Sequence, residues 1–283
     1  MSYKHIEVTP ISGMIGAEIH GVDITQAAIA PDVIDEIRHA FLENLVVFFR
    51  DQDLDDDALV GFGRKFGELA ALPPHRQVPG SYPEILVVEK QPEDNMVFGW
   101  EWHSDTSHLE TPSLGSILCA KIVPECGGDT LFANQYAAYD ALSDGMKRML
   151  GDLTAIHANG RILRTLSEKE MPPPGTESES AVWSEMWMEH PVVRTHPETR
   201  RKALYVNEMH TERFKDMSVE ESQPLLQFLY AHAARPEFTC RFHWEAGSVA
   251  FWDNRCATHL ALNDYAGHHR LMRRVQVKGD RPV

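Results

Sequence analysis

Residues 102–108 read Trp-His-Ser-Asp-Thr-Ser-His and hold two histidines and a carboxylate. In an extended chain, positions i and i+2 point to the same side. His103 and Asp105 can therefore address one ion while Ser104 faces away. A neutral imidazole beside a carboxylate is the start of a set of two histidines and one carboxylate. Such a set leaves positions on iron open for a chelating cosubstrate and oxygen. The same triplet also arises as a loop histidine beside a capping aspartate, so the rest of a metal site must be sought elsewhere. His108 lies on the opposite face of an extended chain and suits a polar role other than ligation.

The segment VAFWDNRCATHLALNDYAGHHRLMRRVQV, residues 249–277, carries the other candidates. An apolar strand ends at Trp-Asp-Asn, a loop carries His259, and a second strand follows. Period-two alternation puts Arg270, Met272 and Arg274 on one face and Arg273 on the other. Two arginines four positions apart are separated by about 13 Å along a strand. That is too far to grip one carboxylate and well suited to holding two anions with a metal between them. The plainer alternative is an outward basic stripe on an acidic protein. His268 and His269 read as turn residues.

These residues need a frame, and the patterning predicts one. Ile34, Ile37 and Phe41 repeat at helical spacing behind Pro31, and the run Leu-Val-Val-Phe-Phe is a buried strand. Leu59, Phe62 and Phe66 share the face of a second helix behind Asp55–Asp57. Strands are expected over 83–88 and 115–123, and again at Thr-Leu-Phe-Ala-Asn after a Gly-Gly turn. Helices cover 135–151, with Ser143 as an internal cap. Ser-Val-Glu-Glu at 218–221 is a capping box opening a helix to about residue 233. Short strands follow in FTCRFHW, SVAFWD and LMRRVQV. Residues 166–190, with three consecutive prolines between polar runs, read as a mobile loop or lid bounded by Trp183 and Trp187. Regular β–α alternation is absent. The expectation is therefore a mainly β fold with helical decoration (α+β), an antiparallel barrel or jelly roll. It forms one domain over 1–283, with a lid insertion around 160–190.

Composition narrows the function. The 42 acidic against 27 basic residues give a net charge of −15, which repels phosphate backbones, so no nucleic acid is expected. Cys119, Cys126, Cys240 and Cys256 form no CxxC pair, and reduced thiols in a cytoplasmic protein fit best. The first residues carry no apolar signal core, and no stretch is long and apolar enough for a membrane span.

Taken in order, WHSD, GGDTLF, HPVVRTHPETRRKALYVNE, FWDNRCATH and DYAGHHRLMRR, with ISGMIGAEIHGVDIT and VVFFRDQ before them, resemble one family. It is the taurine and phenoxyacetate dioxygenase (TauD/TfdA) family of Fe(II)/2-oxoglutarate enzymes, and the likeness runs from about residue 6 to 282. It implies a double-stranded β-helix, with Fe(II), 2-oxoglutarate and O2 as cofactors. His103, Asp105 and His259 match the iron ligands. Arg270 matches the arginine that pairs with the distal carboxylate of 2-oxoglutarate, and Thr130 the hydroxyl assisting it. Arg274 matches an arginine that holds an anionic substrate head. A planar guanidinium suits such carboxylate and oxyanion contacts.

The resemblance implies hydroxylation of a small anionic molecule (a sulfonate, sulfate ester, phosphonate or carboxylate such as an aryloxyalkanoate), with release of succinate and CO2. Retention of Asp105 favours hydroxylation over halogenation. One departure stands out. Where the taurine enzyme carries a substrate-binding histidine after FGEL, Leu72 stands here, and His75 would need a loop shift to replace it. Taurine dioxygenase proper is therefore one alternative. A catalytically inactive metal-binding jelly roll acting as a binding or sensor protein is another. A zinc hydrolase is a third, and it needs no 2-oxoglutarate clamp. By analogy with the family, a homodimer or homotetramer is expected.

Overall fold

The computed structural model describes residues 3–26, 28–168 and 185–283. In chain order the strands are β1 (Glu7–Pro10), β2 (Ala17–His20), β3 (Val46–Phe49), β4 (Leu86–Lys90), β5 (Gly115–Ile122), β6 (Thr130–Asn134), β7 (Thr154–Ala158) and β8 (Trp187–Pro191). They continue with β9 (Val193–Thr195), β10 (Lys202–Leu204), β11 (Thr211–Phe214), β12 (Thr239–Phe242), β13 (Val249–Asp253), β14 (Ala257–Ala261) and β15 (Arg270–Val277). The helices are α1 (Pro31–Asn44), α2 (Asp56–Arg64), α3 (Gln135–Asp140), α4 (Asp144–Gly151), α5 (Gly160–Glu168) and α6 (Val219–Ala233).

A seven-stranded sheet in the order β1-β2-β3-β13-β5-β15-β4 forms the frame, and the three-stranded sheet β12-β6-β14 faces it. Aromatic rings fill the space between them. Phe48 of β3 stacks on Phe242 of β12 at 3.9 Å, and Phe132 of β6 lies 5.7 Å from Trp252 of β13. The outer face of the large sheet is closed by α1 and α2, where Phe41 stacks on Phe251 at 4.1 Å. This sandwiching explains why β3 and β13 are buried along their whole length and read as continuous apolar runs. The result is the jelly roll that the strand pattern predicts.

Local chemistry sets the element ends as expected. Asp55 caps α2 by accepting from the Ala58 amide at 2.8 Å. Ser143 caps α4, and Ser218 and Glu221 form the capping box of α6. Gly115 opens β5 because a Cβ there would sit 2.7 Å from the Trp252 carbonyl oxygen. Three expectations need correction. The strand expected at 83–88 runs Leu86–Lys90, in register with Arg270–Arg274. His259 lies not in a loop but at the centre of β14. Strands β7 to β11 carry no strong pattern and were not expected; β9 and β10 are three residues each. α5 and β8 occupy the two ends of the expected lid, and its centre, with Trp183, lies outside the described residues. Among the described residues, no helix is long and apolar enough to cross a membrane.

A buried charge network ties β13 to the loop after β9. Asp253 is gripped by Arg255, with Nη2–Oδ2 2.7 Å and Nε–Oδ1 2.8 Å, and His196 Nε2 donates to it at 3.1 Å. Glu198 holds the far side of Arg255 at 2.7 Å. Burial pushes the Asp253 carboxyl up, but Arg255 and His196 outweigh it and hold it far below the ordinary carboxylate range. A depressed folded pKa stabilises the fold above the unfolded value of about 3.9 and is lost as pH falls below it. Arg255→Ala leaves Asp253 buried without its guanidinium partner, held by His196 and the backbone amide of residue 255. It is expected to lower the unfolding free energy by about 3–5 kcal/mol at pH 7. The cost should shrink toward pH 4, because the deserted carboxylate takes up a proton. Urea unfolding at both pH values checks this, and a cost independent of pH would refute it.

Candidate functional site

His103 and His259 face each other across an isolated antiparallel bridge, with His103 N–O His259 at 3.0 Å and His259 N–O His103 at 2.8 Å. Directly paired residues present their side chains on one face, and the two imidazole centroids are 4.0 Å apart. Asp105 follows two residues on, with Oδ1 3.8 Å from His103 Nε2. One donor atom from each of His103, Asp105 and His259 lies within 4.8 Å of the others. Gly99, at φ 88°, lets the backbone pass over the ring: a Cβ there would lie 3.0 Å from His103 Cε1.

The donor set fits a divalent metal. His103 Nδ1 lies 2.8 Å from the Glu101 carbonyl oxygen, which can only accept, so Nδ1 carries the proton and the Nε2 lone pair points toward Asp105. His259 makes no side-chain hydrogen bond among the described residues, and its buried Nδ1 is unpaired, although its ring packs 4.7 Å from that of Trp252. Burial, chiefly, pushes both histidines down and keeps them neutral, as ligation requires. Burial pushes Asp105 up, yet Arg274, His259, His103 and the Ser116 hydroxyl overcome it and hold the carboxyl well below its usual range.

Asp105 is aimed by its neighbours. The Ser116 hydroxyl donates to Oδ2 at 2.6 Å, and Arg274 Nη1 donates to Oδ1 at 3.0 Å. Asn254 locks the arrangement: its side-chain oxygen accepts from the Asp105 amide and from Trp252 Nε1, while its amide donates to Ser116. A second cluster, His196, Asp253 and Cys256, has similar composition, but its imidazole and its carboxylate are already engaged. His196 Nδ1 accepts from the amides of Glu198 and Thr199, its Nε2 is spent on Asp253, and Arg255 holds the carboxylate.

One cavity joins the metal-type cluster to the predicted clamp; His103, His259, Thr130, Arg270 and Arg274 line it together. Arg270 and Arg274 are both buried on the same face of β15, and the Nε of each is unpaired. His108 lies outside the three-donor cluster, as its spacing implies; its buried Nδ1 is unpaired. Leu72 is half-buried and fixed by its amide on the Pro83 carbonyl. The His75 side chain lies outside the described part of the structure.

Sequence reasoning missed Arg76. Residues 68–70 extend the large sheet beside the end of β15, with Ala70 N bonded to Gln276 O at 2.8 Å, so the following loop starts next to Arg274. Arg76 turns inward from a 3-10 turn over Pro74–Arg76. Burial first, and the charge of Arg274 second, bring its guanidinium down to about 10. Burial and then Arg76 push the His108 imidazole down to about 4. A lone arginine next to the flagged His75 carried no pattern in the sequence. Ser116 and Asn254 were equally silent, since each acts through a non-local hydrogen bond.

The sequence profile of the taurine catabolism dioxygenase TauD, TfdA family matches residues 7–276. An α-ketoglutarate-dependent sulfate ester dioxygenase of Pseudomonas putida is 36% identical, covering 98% of this chain and 91% of that relative. A putative α-ketoglutarate-dependent taurine dioxygenase from Burkholderia xenovorans superposes with a TM-score of 0.83 at 40% identity, over 98% of this chain and 94% of the other. AAD-2 in complex with Mn(II) and N-oxalylglycine superposes at 0.79 with 30% identity, over 98% of each chain.

Ser116→Ala removes the hydroxyl that aims Asp105 and leaves every donor in the cluster intact. It is expected to weaken Fe(II) affinity about tenfold to a hundredfold. Competition with a chromogenic chelator measures this, and an unchanged affinity would show that Asp105 needs no such support.

Proposed function

The chain belongs to the taurine catabolism dioxygenase TauD, TfdA family, and from that premise we propose an assignment of its site and substrate class. It is a non-haem Fe(II)/2-oxoglutarate-dependent dioxygenase, and its cofactors are Fe(II), 2-oxoglutarate (α-ketoglutarate) and O2. In our reading His103, Asp105 and His259 hold the iron, Arg270 and Thr130 hold the distal carboxylate of 2-oxoglutarate, and Arg274, Arg76 and His108 receive the substrate's anionic head. The preferred substrate is an alkyl sulfate ester or sulfonate.

When bound, iron and 2-oxoglutarate supply oxidative decarboxylation to succinate and CO2, coupled to insertion of the second oxygen atom into a substrate C–H bond. The residues supply everything else. The neutral imidazoles and the ionised Asp105 offer three donors without a proton to displace. Arg270 fixes one end of the cosubstrate from a buried strand position. Arg274 tethers Asp105 through Nη1 while its Nε remains for another anion, so the substrate head and the metal cluster share a residue. For a sulfate ester, hydroxylation of the carbon bearing the ester oxygen gives a hemiacetal-like product. Loss of its hydroxyl proton and cleavage of that C–O bond give an aldehyde and sulfate.

The observation that carries the substrate class is the second guanidinium. The charges of half-buried Arg76 and buried Arg274 oppose each other, and in our reading the substrate's anionic head lowers that repulsion. A single carboxylate is satisfied by one bidentate arginine. Two arginines with the unpaired Nδ1 of His108 suit a tetrahedral head with three acceptor oxygens. The likeness to a sulfate ester dioxygenase supports the same reading. Taurine itself has less support, because Leu72 offers no polar group. The sequence profile, and relatives that are dioxygenases by name, leave the inactive binding protein without support.

Substrate-dependent succinate release should be strongest with medium-chain alkyl sulfates or sulfonates, compared with aryloxyalkanoates of similar size. Arg76→Ala and Arg274→Ala should each raise KM for that substrate by about thirtyfold or more, the usual cost of truncating one side of a buried charge contact. Turnover confined to aryloxyalkanoates, or an Arg76→Ala enzyme with unchanged KM, would overturn the assignment of the head-group site.

A further inference from the structure

Trp244 lies on the turn between β12 and β13 and is 2% exposed. On sequence grounds it reads as a wall or core residue, and its ring does pack edge-on against Phe242 at 4.9 Å. Its polar edge does something more specific. Nε1 donates to the Thr130 hydroxyl at 3.0 Å. The pairing of Phe242 with Thr130 across β12 and β6 brings the turn back over that residue.

An indole N–H can only donate, whereas a hydroxyl has one proton to give and two lone pairs to receive with. The bond from Trp244 occupies an accepting site and leaves the Thr130 proton uncommitted. Among the described residues the Thr130 hydroxyl makes no other hydrogen bond, and Thr130 lines the cavity shared with Arg270. The free proton is therefore available to a ligand that accepts. Trp252 provides a contrast: its N–H goes to Asn254, in the network that aims Asp105.

The same indole also meets the other half of the clamp. The Arg270 guanidinium carbon lies 5.8 Å from the centroid of the Trp244 ring, and Arg270 makes no side-chain hydrogen bond among the described residues. A desolvated guanidinium over an indole face is attracted to it. Without that contact, a long side chain with no polar partner would sample several rotamers, and binding would have to order it.

We propose that Trp244 is a positioning residue for the cosubstrate: its N–H makes the Thr130 hydroxyl a donor, and its face sets Arg270, so that both aim at the far carboxylate of a 2-oxo dicarboxylic acid. This rests on the assignment of Thr130 and Arg270 to 2-oxoglutarate. Trp244 touches neither iron nor the reacting atoms, and its effect is confined to the end of the cosubstrate that bears the second carboxylate.

The test is anaerobic titration of the Fe(II)-loaded protein with 2-oxoglutarate and, separately, with 2-oxobutyrate, which lacks the distal carboxylate. The visible charge-transfer band of an iron-bound 2-oxo acid reports binding without turnover. Trp244→Phe keeps a ring and loses the N–H. It is expected to raise Kd for 2-oxoglutarate about fivefold to tenfold, within the range for a hydrogen bond between neutral groups. The Kd for 2-oxobutyrate and the affinity for Fe(II) should stay unchanged. In a Thr130→Val background the same substitution should cost less, because the two residues act as a unit. If Trp244→Phe does not fold, Trp244→His, which retains a ring N–H, carries the same contrast: it should hold 2-oxoglutarate more tightly than Trp244→Leu does. Equal weakening of both oxo acids, full additivity with Thr130→Val, or no weakening at all would overturn the proposal. A wild-type protein that binds Fe(II) but gives no saturable band with 2-oxoglutarate would instead sink the cosubstrate assignment itself.

Discussion

A carboxylate shut inside a β-sandwich either finds cationic and hydrogen-bonding partners or takes up a proton. Asp105 is 4% exposed and stays ionised because Arg274, two imidazoles and the Ser116 hydroxyl surround it. Those partners come from β15, β14, β5 and the segment before Asp105 itself. The packing of the two sheets therefore has to deliver four chain segments to one point. The His103–His259 bridge, the Asn254 network and the glycine at position 99 are the local means of doing so.

Comparison with Asp253 shows what separates a structural charge from an available one. Asp253 is just as buried, and its partners Arg255 and His196 are engaged by it, by the Glu198 side chain and by the backbone nearby. Nothing is left over to bind a ligand. Around Asp105 the accounting stops short. The side chain of His259, the Nε of Arg270 and Arg274, and the Nδ1 of His108 are buried and unpaired. Buried polar groups are ordinarily satisfied, so the unsatisfied nitrogens of His259, Arg270 and Arg274 around one cavity make it a candidate ligand site.

Strand β15 acts as a ruler across this region. Its pairing with β5 and β4 holds Arg270 and Arg274 on one face at fixed separation, while Leu271 and Arg273 face the other way. The sheet thereby separates the two guanidinium groups and keeps both on the cavity that His103 and His259 line. Elements outside the sheet tune each site in turn. The turn bearing Trp244 sits over the Arg270 end, and the loop bearing Arg76 sits over the Arg274 end.

Much of this was legible in the sequence, for identifiable reasons. The helices α1, α2 and α6 follow from apolar spacing and caps, and β3, β5, β13 and β15 from apolar runs and alternation, all of which are local signals. The HxD spacing and the two arginines four apart on a strand are local too; each stretch alone kept a plainer alternative, and the order of all the motifs together pointed to one family. What the sequence by itself determined was thus the donor types and the face each occupies on its own element. The tertiary structure decided which of them meet. His259 reaches His103 only because β14 pairs with β6 and then bridges to a segment 156 positions earlier. Ser116, Asn254, Trp244 and Arg76 reach this region through contacts that no spacing rule encodes, since each depends on burial and on partners distant in the chain.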